Sequence, residues 1–298
     1  MKNTIKYLGM AVIALMLSAC QEDKLDPVSV ITVRTTEKND FDYWLESNFL
    51  KPYNIEFKYR YEANESDMNY YTVPAEYEYS IMMAHLVKYL CIDTYDEVAG
   101  VDFTRANFPK LFFLIGDWEY RNNGTIILGT AEGGKKINLA GVNHLPTYLA
   151  RGAEALNEYY IKTIHHEFTH ILNQTKSYQT DFKLITGNGY IADDWSVSPN
   201  NTGYLTRGFI SAYSQYSDTE DFAEMLSIYI ISSPEQWDAW MNEAGTSGAS
   251  FIRSKLELVR AYMQESWDVD IDELRTTILR RQDDVINGLV DLTDLTIR

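Results

Sequence analysis

Apolar and polar positions along this chain repeat with two different periods. Residues 55–61, Ile55-Glu56-Phe57-Lys58-Tyr59-Arg60-Tyr61, alternate apolar with charged or polar side chains, which predicts a half-exposed strand. Residues 110–116 carry the unbroken apolar run Leu111-Phe112-Phe113-Leu114-Ile115 and predict a buried strand. Residues 125–129 and 137–139 flank Glu132-Gly133-Gly134, the pattern of a hairpin. Helical spacing governs residues 75–92, 153–174, 218–231, 235–243, 251–265 and 271–281. Strands gather first and helices later, so the pattern predicts an α+β fold whose C-terminal part is mostly helical.

One of these helices carries chemistry. His166-Glu167-Phe168-Thr169-His170 lies within the stretch 153–174, and histidines four apart on a helix share a face, one turn above the other. Their imidazoles can converge on one Zn²⁺, while Glu167 is displaced around the helix, toward a metal-bound water instead of the metal. This is the H-E-x-x-H arrangement of zinc hydrolases. The metal lowers the pKa of its water, and the neighbouring carboxylate takes the proton as that water attacks.

A catalytic zinc needs a third protein ligand and leaves its fourth position to water. The extended three-histidine motif would require glycine at 173 and histidine at 176, where this chain has Asn173 and Lys176. His85 and His144 both precede the motif, and His144 reads as a hydrogen-bonding loop residue. His165 points about 100° away from His166 around the helix and is expected to pack or to donate an outer hydrogen bond. A carboxylate on a later element is the remaining choice, and Thr219-Glu220-Asp221-Phe222-Ala223-Glu224 offers two. Glu220 and Glu224 are four apart at the start of an apolar helix, so either can face the motif helix; one would bind zinc and the other would hold a ligating histidine through its free N–H. Glu220 and Asp221 also suit N-terminal capping. Glu224, set among Phe222, Ala223, Met225 and Leu226, is costly unless paired.

His166-Glu167-Phe168-Thr169-His170 followed some fifty residues later by Glu220-Asp221-Phe222-Ala223-Glu224 resembles the glutamate zincins of the lethal-factor-like type. The resemblance implies a zincin-like fold with Glu220 as third ligand and Glu224 as the outer partner. It also implies that Tyr213, seven residues before Glu220, supports the oxyanion. A closer resemblance extends over nearly the whole chain, to zinc metallopeptidase lipoproteins associated with outer-membrane nutrient import. It rests on Phe57-Lys58-Tyr59-Arg60-Tyr61, Leu128-Gly129-Thr130-Ala131-Glu132-Gly133-Gly134-Lys135, the zinc segments and Trp267-Asp268-Val269-Asp270-Ile271-Asp272-Glu273-Leu274-Arg275. Asp268 stands where that family often has glycine. The implied function is a Zn²⁺-dependent peptidase acting on a peptide or protein, with residues 137–139 as the cleft edge and an outer-membrane nutrient importer as partner. The rival is a non-catalytic envelope binding protein with a structural or degenerate zinc site; the presence of Glu167 disfavours it, because a structural site needs no general base.

The N-terminal segment changes where this chemistry is expected to act. Lys2 and Lys6 precede an apolar stretch, residues 7–16, too short to span a bilayer. Leu17-Ser18-Ala19-Cys20 resembles the lipobox of bacterial lipoproteins, which implies a signal peptide over 1–19 and lipidation of Cys20. Residues 20–36 read as a polar tether, leaving 37–298 as the metallopeptidase domain. Gln21 in place of an aspartate, and the acidic run that follows, imply an outer-membrane location facing the periplasm or the surface, with the lipid as sole membrane contact. The formal net charge is −17, and removing the leader makes it more negative because it takes Lys2 and Lys6 and no acid. Such a charge argues against nucleic acid as a partner. Cys91 is the only other cysteine, so a lipidated Cys20 leaves no intramolecular disulfide.

Overall fold

The computed structural model describes residues 37–65, 70, 72–120, 126–127, 129–132 and 136–297. The expected signal peptide, Cys20 and the tether lie outside the described residues, as do Leu128 and Gly133-Gly134-Lys135 of the resembled motif. Residues Asn39–Arg298 form a compact unit.

The unit opens with a helix, α1 (residues 40–53), whose i, i+3, i+4 spacing of Phe41, Trp44 and Leu45 was not counted among the expected helices. Asn39 caps it by accepting the Asp42 N–H, and the Asp42 carboxylate accepts the Asn39 N–H in return, so two otherwise orphaned donors are satisfied. Strand β1 (Glu56–Lys58) follows, then α2 (residues 77–99), α3 (Val101–Asn107) and strand β2 (Leu111–Leu114). β1 and β2 are parallel, and a parallel pair needs a long crossover, which α2 and α3 supply. The helix expected at 75–92 is thus present as α2, while α1 and α3 add helices that the sequence pattern had not singled out.

The next segments keep an antiparallel pair on either side of residues 133–135 but move its first strand from the expected 125–129 to 129–132. Strand β3 (Glu119–Tyr120) pairs antiparallel with β4 (Ile126–Ile127) in a small sheet of its own. The partner of residues 137–139 is instead β5 (Gly129–Glu132), which pairs antiparallel with β6 (Lys136–Leu139) through Glu132↔Lys136. The main sheet runs β1-β2-β6-β5, with β6 parallel to β2. β6 is thus an interior strand, buried along its length, and residues 137–139 are not a cleft edge. The edge is β5. Local periodicity cannot reveal this, because strand order is set by pairing between distant segments.

From β6 the chain turns at Gly141, whose φ of 72° is favourable only for glycine and whose Cβ, if present, would strike the Trp118 ring. Helix α4 (Leu145–Ala150) leads into α5 (residues 153–175), anchored at its start by a hydrogen bond of 2.7 Å from the Tyr160 hydroxyl to the Gly141 carbonyl. α5 buries Ile161, Ile164, Phe168 and Leu172 in the core. After the short α6 (Asp181–Leu184) and a loop of tight turns comes α7 (Asp218–Ile231), which packs along α5 and is buried from Asp221 onward. Helix α8 (Pro234–Trp267) joins the two helices expected at 235–243 and 251–265 across a break at Gly245. Asp268 ends it in the left-handed conformation, φ 57°, which explains why a glycine suits this position and why a short polar residue can replace it. Helix α9 (Ile271–Ile286), capped by Asp270, closes the unit.

Candidate metal centre

Helices α5 and α7 bring His166, His170 and Glu220 together. The Nε2 atoms of the two histidines lie 3.1 Å apart, and Glu220 Oε2 is 2.9 Å from His166 and 3.2 Å from His170. Their potential ligand atoms all fall within 4.8 Å of one another, the one such group of three among the described residues. Glu220 sits in the first turn of α7, where the Ser217 hydroxyl caps the helix by accepting the Glu220 N–H at 3.3 Å.

Two imidazoles and a carboxylate are donors that suit Zn²⁺ and leave a coordination position open. The electrostatics agree. Burial alone would push the His166 pKa down, but Glu220 and Glu224, with Glu167 adding to them, carry it up to about 10. Burial would likewise raise the Glu220 pKa, yet His166 and His170 hold it well below the usual carboxylate range. The carboxylates create a potential that favours positive charge, which a divalent cation satisfies.

Glu224 lies one turn beyond Glu220, only 1% exposed, and meets the other nitrogen of the same ring: its Oε1 is 2.9 Å from His166 Nδ1. The approach is close without being a well-aligned hydrogen bond. Lys162 Nζ approaches Glu224 Oε1 at 3.2 Å, and the Ser211 hydroxyl donates to Oε2 at 2.7 Å. Against the upward pull of burial, Lys162 and His166 bring the Glu224 pKa down to about 2. Lys162 was not anticipated, although it precedes His166 by four residues and so shares its helix face.

Asp221 does not act as a capping acid. Turned about 100° from Glu220 around the helix, it is fully buried and pairs at 2.6 Å with Lys255 of α8, itself fully buried. The Tyr190 hydroxyl donates to Asp221 at 2.9 Å, and Lys255 donates to the Gly208 carbonyl at 2.9 Å while lying 4.0 Å from the centre of the Phe209 ring. Lys255 also escaped the sequence analysis, though it falls on the apolar face of its helix with Ile252, Leu256 and Val259.

Glu167 lines a cleft of about 570 Å³ together with His170 and Glu220. Tyr213 comes from the loop between α6 and α7, its ring centre 6.1 Å from that of His166. The Trp195 ring, 5.1 Å away, packs edge-on against it, a neighbour that periodicity gave no reason to select. The remaining histidines stand apart from the cluster. His165 faces the core, with Nδ1 3.3 Å from the Tyr95 hydroxyl and Nε2 4.0 Å from Cys91 Sγ, and burial lowers its pKa to about 3. His144 contacts Asp117 at 3.0 Å and stacks on Trp118. Burial pushes the Cys91 thiol well above its ordinary value.

The family described as "Putative zinc-binding metallo-peptidase" matches this chain over residues 34–272. A solved structure described as a "putative zinc-binding metallo-peptidase" from Bacteroides caccae ATCC 43185 is similar to it with 37% sequence identity and a TM-score of 0.74, covering 90% of this chain and 100% of its own. No curated protein matches.

The Lys255–Asp221 pair generates a stability test. Lys255→Met leaves the Asp221 carboxylate buried without its cation, and the expected loss is about 3–5 kcal/mol by urea denaturation followed by circular dichroism. Adding Asp221→Leu should recover at least half of that loss; equal losses in the single and double variants would show that the charge is not the cause.

Proposed function

This chain belongs to the zinc-binding metallopeptidase family matched over residues 34–272, and we propose that it is a glutamate-zincin peptidase held at a bacterial outer membrane by a lipid. The observation that carries the catalytic reading is the convergence of His166, His170 and Glu220 beside a cleft that Glu167 also lines. His166, His170 and Glu220 would hold Zn²⁺, which when bound polarises the scissile carbonyl and makes water more acidic. Three protein donors, with no fourth gathered among the described residues, favour a catalytic over a structural site, since structural zinc is closed by four.

Glu167 accepts the proton of the attacking water and delivers it to the leaving amine. The Tyr213 hydroxyl donates to the carbonyl oxygen as negative charge builds on it. Glu224 positions His166: a proton on Nδ1 faces the carboxylate, leaving the Nε2 lone pair for the metal. Lys162 and Ser211 hold Glu224 in that orientation. Strand β5 has no partner on its outer side among the described residues and runs beside α5, so it can add an extended substrate backbone to the sheet. The leader pattern and Cys20 support lipid anchoring, at the periplasmic or surface face. The resemblance to import-associated lipoproteins supports an outer-membrane nutrient importer as partner.

Glu167→Gln should keep near-stoichiometric zinc, read by atomic absorption, and lose hydrolysis of a mixed peptide library by several orders of magnitude. Wild-type turnover in this variant would end the mechanism. Glu220→Ala should nearly abolish zinc binding, whereas Glu224→Ala should weaken it or the activity by about 10–100-fold. Tight zinc in the first and none in the second would exchange the two roles. Radiolabelled fatty acid should enter the wild-type protein in cells and be absent from Cys20→Ala; an unlabelled wild type would remove the anchor.

A further inference from the structure

In the long connection between α6 and α7 the main chain around Tyr213 is held on both sides. The Ser211 hydroxyl accepts the Ser214 N–H at 3.1 Å, and the Tyr216 N–H donates to the Tyr213 carbonyl at 2.9 Å. The buried Gln215 amide donates to the carbonyls of Asn200 at 2.9 Å and Ala212 at 3.0 Å, and accepts from Arg207 Nε at 3.0 Å. With the main chain fixed, the freedom left to Tyr213 is its choice of side-chain rotamer, which the neighbours of the ring decide.

A second turn of the same connection, Ala192–Ser196, is tied to the first. The N–H groups of Ile191 and Ala192 donate to the carbonyls of Gln215 at 2.8 Å and Tyr216 at 3.2 Å. Ala192 has φ 47°, a left-handed conformation that is unfavourable for a residue with a Cβ, so the turn keeps its shape against local preference. From this turn comes Trp195, whose ring centre lies 5.1 Å from that of Tyr213 with 72° between the planes. Tyr216 and His166 stand farther from the phenol, at 5.8 and 6.1 Å between ring centres. The Trp195 Nε1–H is screened from solvent and meets no acceptor within the protein, so it is not available to a substrate. What the indole offers here is a packed aromatic surface.

We propose that Trp195 is a positioning residue for Tyr213, restricting the phenol to the orientation in which its ring stands beside His166. The proposal rests on the peptidase reading, in which the Tyr213 hydroxyl supports the oxyanion. Such a donor is most effective when it is in place before charge develops; a ring free to visit other rotamers has to be ordered again at each turnover. Losing one oxyanion donor costs about 10²–10³ in kcat, and that range is the ceiling for any effect that Trp195 exerts through Tyr213.

The experiment compares kcat and KM on one cleaved peptide for the wild type, Trp195→Ala, Trp195→Phe, Tyr213→Phe and the double variant of Trp195→Ala with Tyr213→Phe. Zinc content and circular dichroism are recorded for each. Trp195→Ala should lower kcat at least about tenfold, with KM within about twofold of the wild type and zinc unchanged. Trp195→Phe keeps an aromatic face and should recover most of that loss. When Tyr213→Phe is already present, Trp195→Ala should cost less than about twofold, because the hydroxyl that it positions is gone. Independently of activity, fluorine NMR of zinc-loaded protein carrying fluorotyrosine follows the ring itself, its signal identified by its loss in Tyr213→Phe. Trp195→Ala should move that signal toward free fluorotyrosine and narrow it. Wild-type kcat in Trp195→Ala, loss of zinc, an equal fold-loss in both backgrounds, or an unmoved Tyr213 signal overturns the proposal. Should Trp195→Ala not fold, Trp195→Leu takes its place under the same criteria. If the wild type cleaves no peptide, the peptidase reading fails, and the Tyr213 signal alone decides whether Trp195 holds the ring.

Discussion

Three buried or part-buried carboxylates in a little over one turn of a single helix are tolerable only because each meets a different partner. Glu220 meets the Nε2 atoms of His166 and His170, Asp221 meets Lys255, and Glu224 meets His166 Nδ1, Lys162 and Ser211. The helical repeat sorts them. Residues 220 and 224 share the face toward α5, while residue 221 is turned about 100° away toward α8. The burial of α7 within the core, the alignment of the two histidines and the seating of the loop that bears Tyr213 all depend on these pairings, because an unpaired carboxylate in such surroundings would draw water or a proton into the core.

Two sides of one imidazole are thereby given different tasks. Glu224 Oε1 lies 2.9 Å from Nδ1 of the His166 ring, and Nε2 faces Glu220 and His170. Ser211 and Lys162, which stand away from the donors, both contact the same Glu224 carboxylate. The sheet contributes a second constraint. Its antiparallel strand, β5, lies at an edge among the described residues and contacts α5.

The motif helix and the long C-terminal helices were legible in the sequence because a 3.6-residue period and a four-residue spacing are local properties. Spacing alone narrowed the third donor to Glu220 or Glu224 and could go no further, since both face α5; their separation along the axis, and so the ring nitrogen each meets, is a tertiary fact. Strand order was illegible for the same reason, and residues 137–139 were misplaced at an edge that belongs to residues 129–132. Lys162 and Lys255 were passed over because lysine is ordinarily a solvated residue, and a charge on an apolar stripe signals a buried partner only to a reader who already suspects one. Helix α1 is different: its apolar spacing and capping pair were visible, and were overlooked in favour of the strand that follows.

Lys255 has a consequence for the order in which the molecule can be assembled. Its polar and aromatic contacts, Phe182, Tyr190, Gly208, Phe209 and Asp221, all precede it in the chain, as do the candidate donors His166, His170 and Glu220. A chain still emerging from synthesis would therefore hold both histidines and both glutamates before it possessed Lys255, the cation paired with Asp221. Without Lys255 the buried Asp221 carboxylate would lack its cation, which makes burial of α7 less favourable. The residues around the candidate centre thus reach their full set of buried partners only with a residue some thirty-five positions beyond the last of the candidate donors.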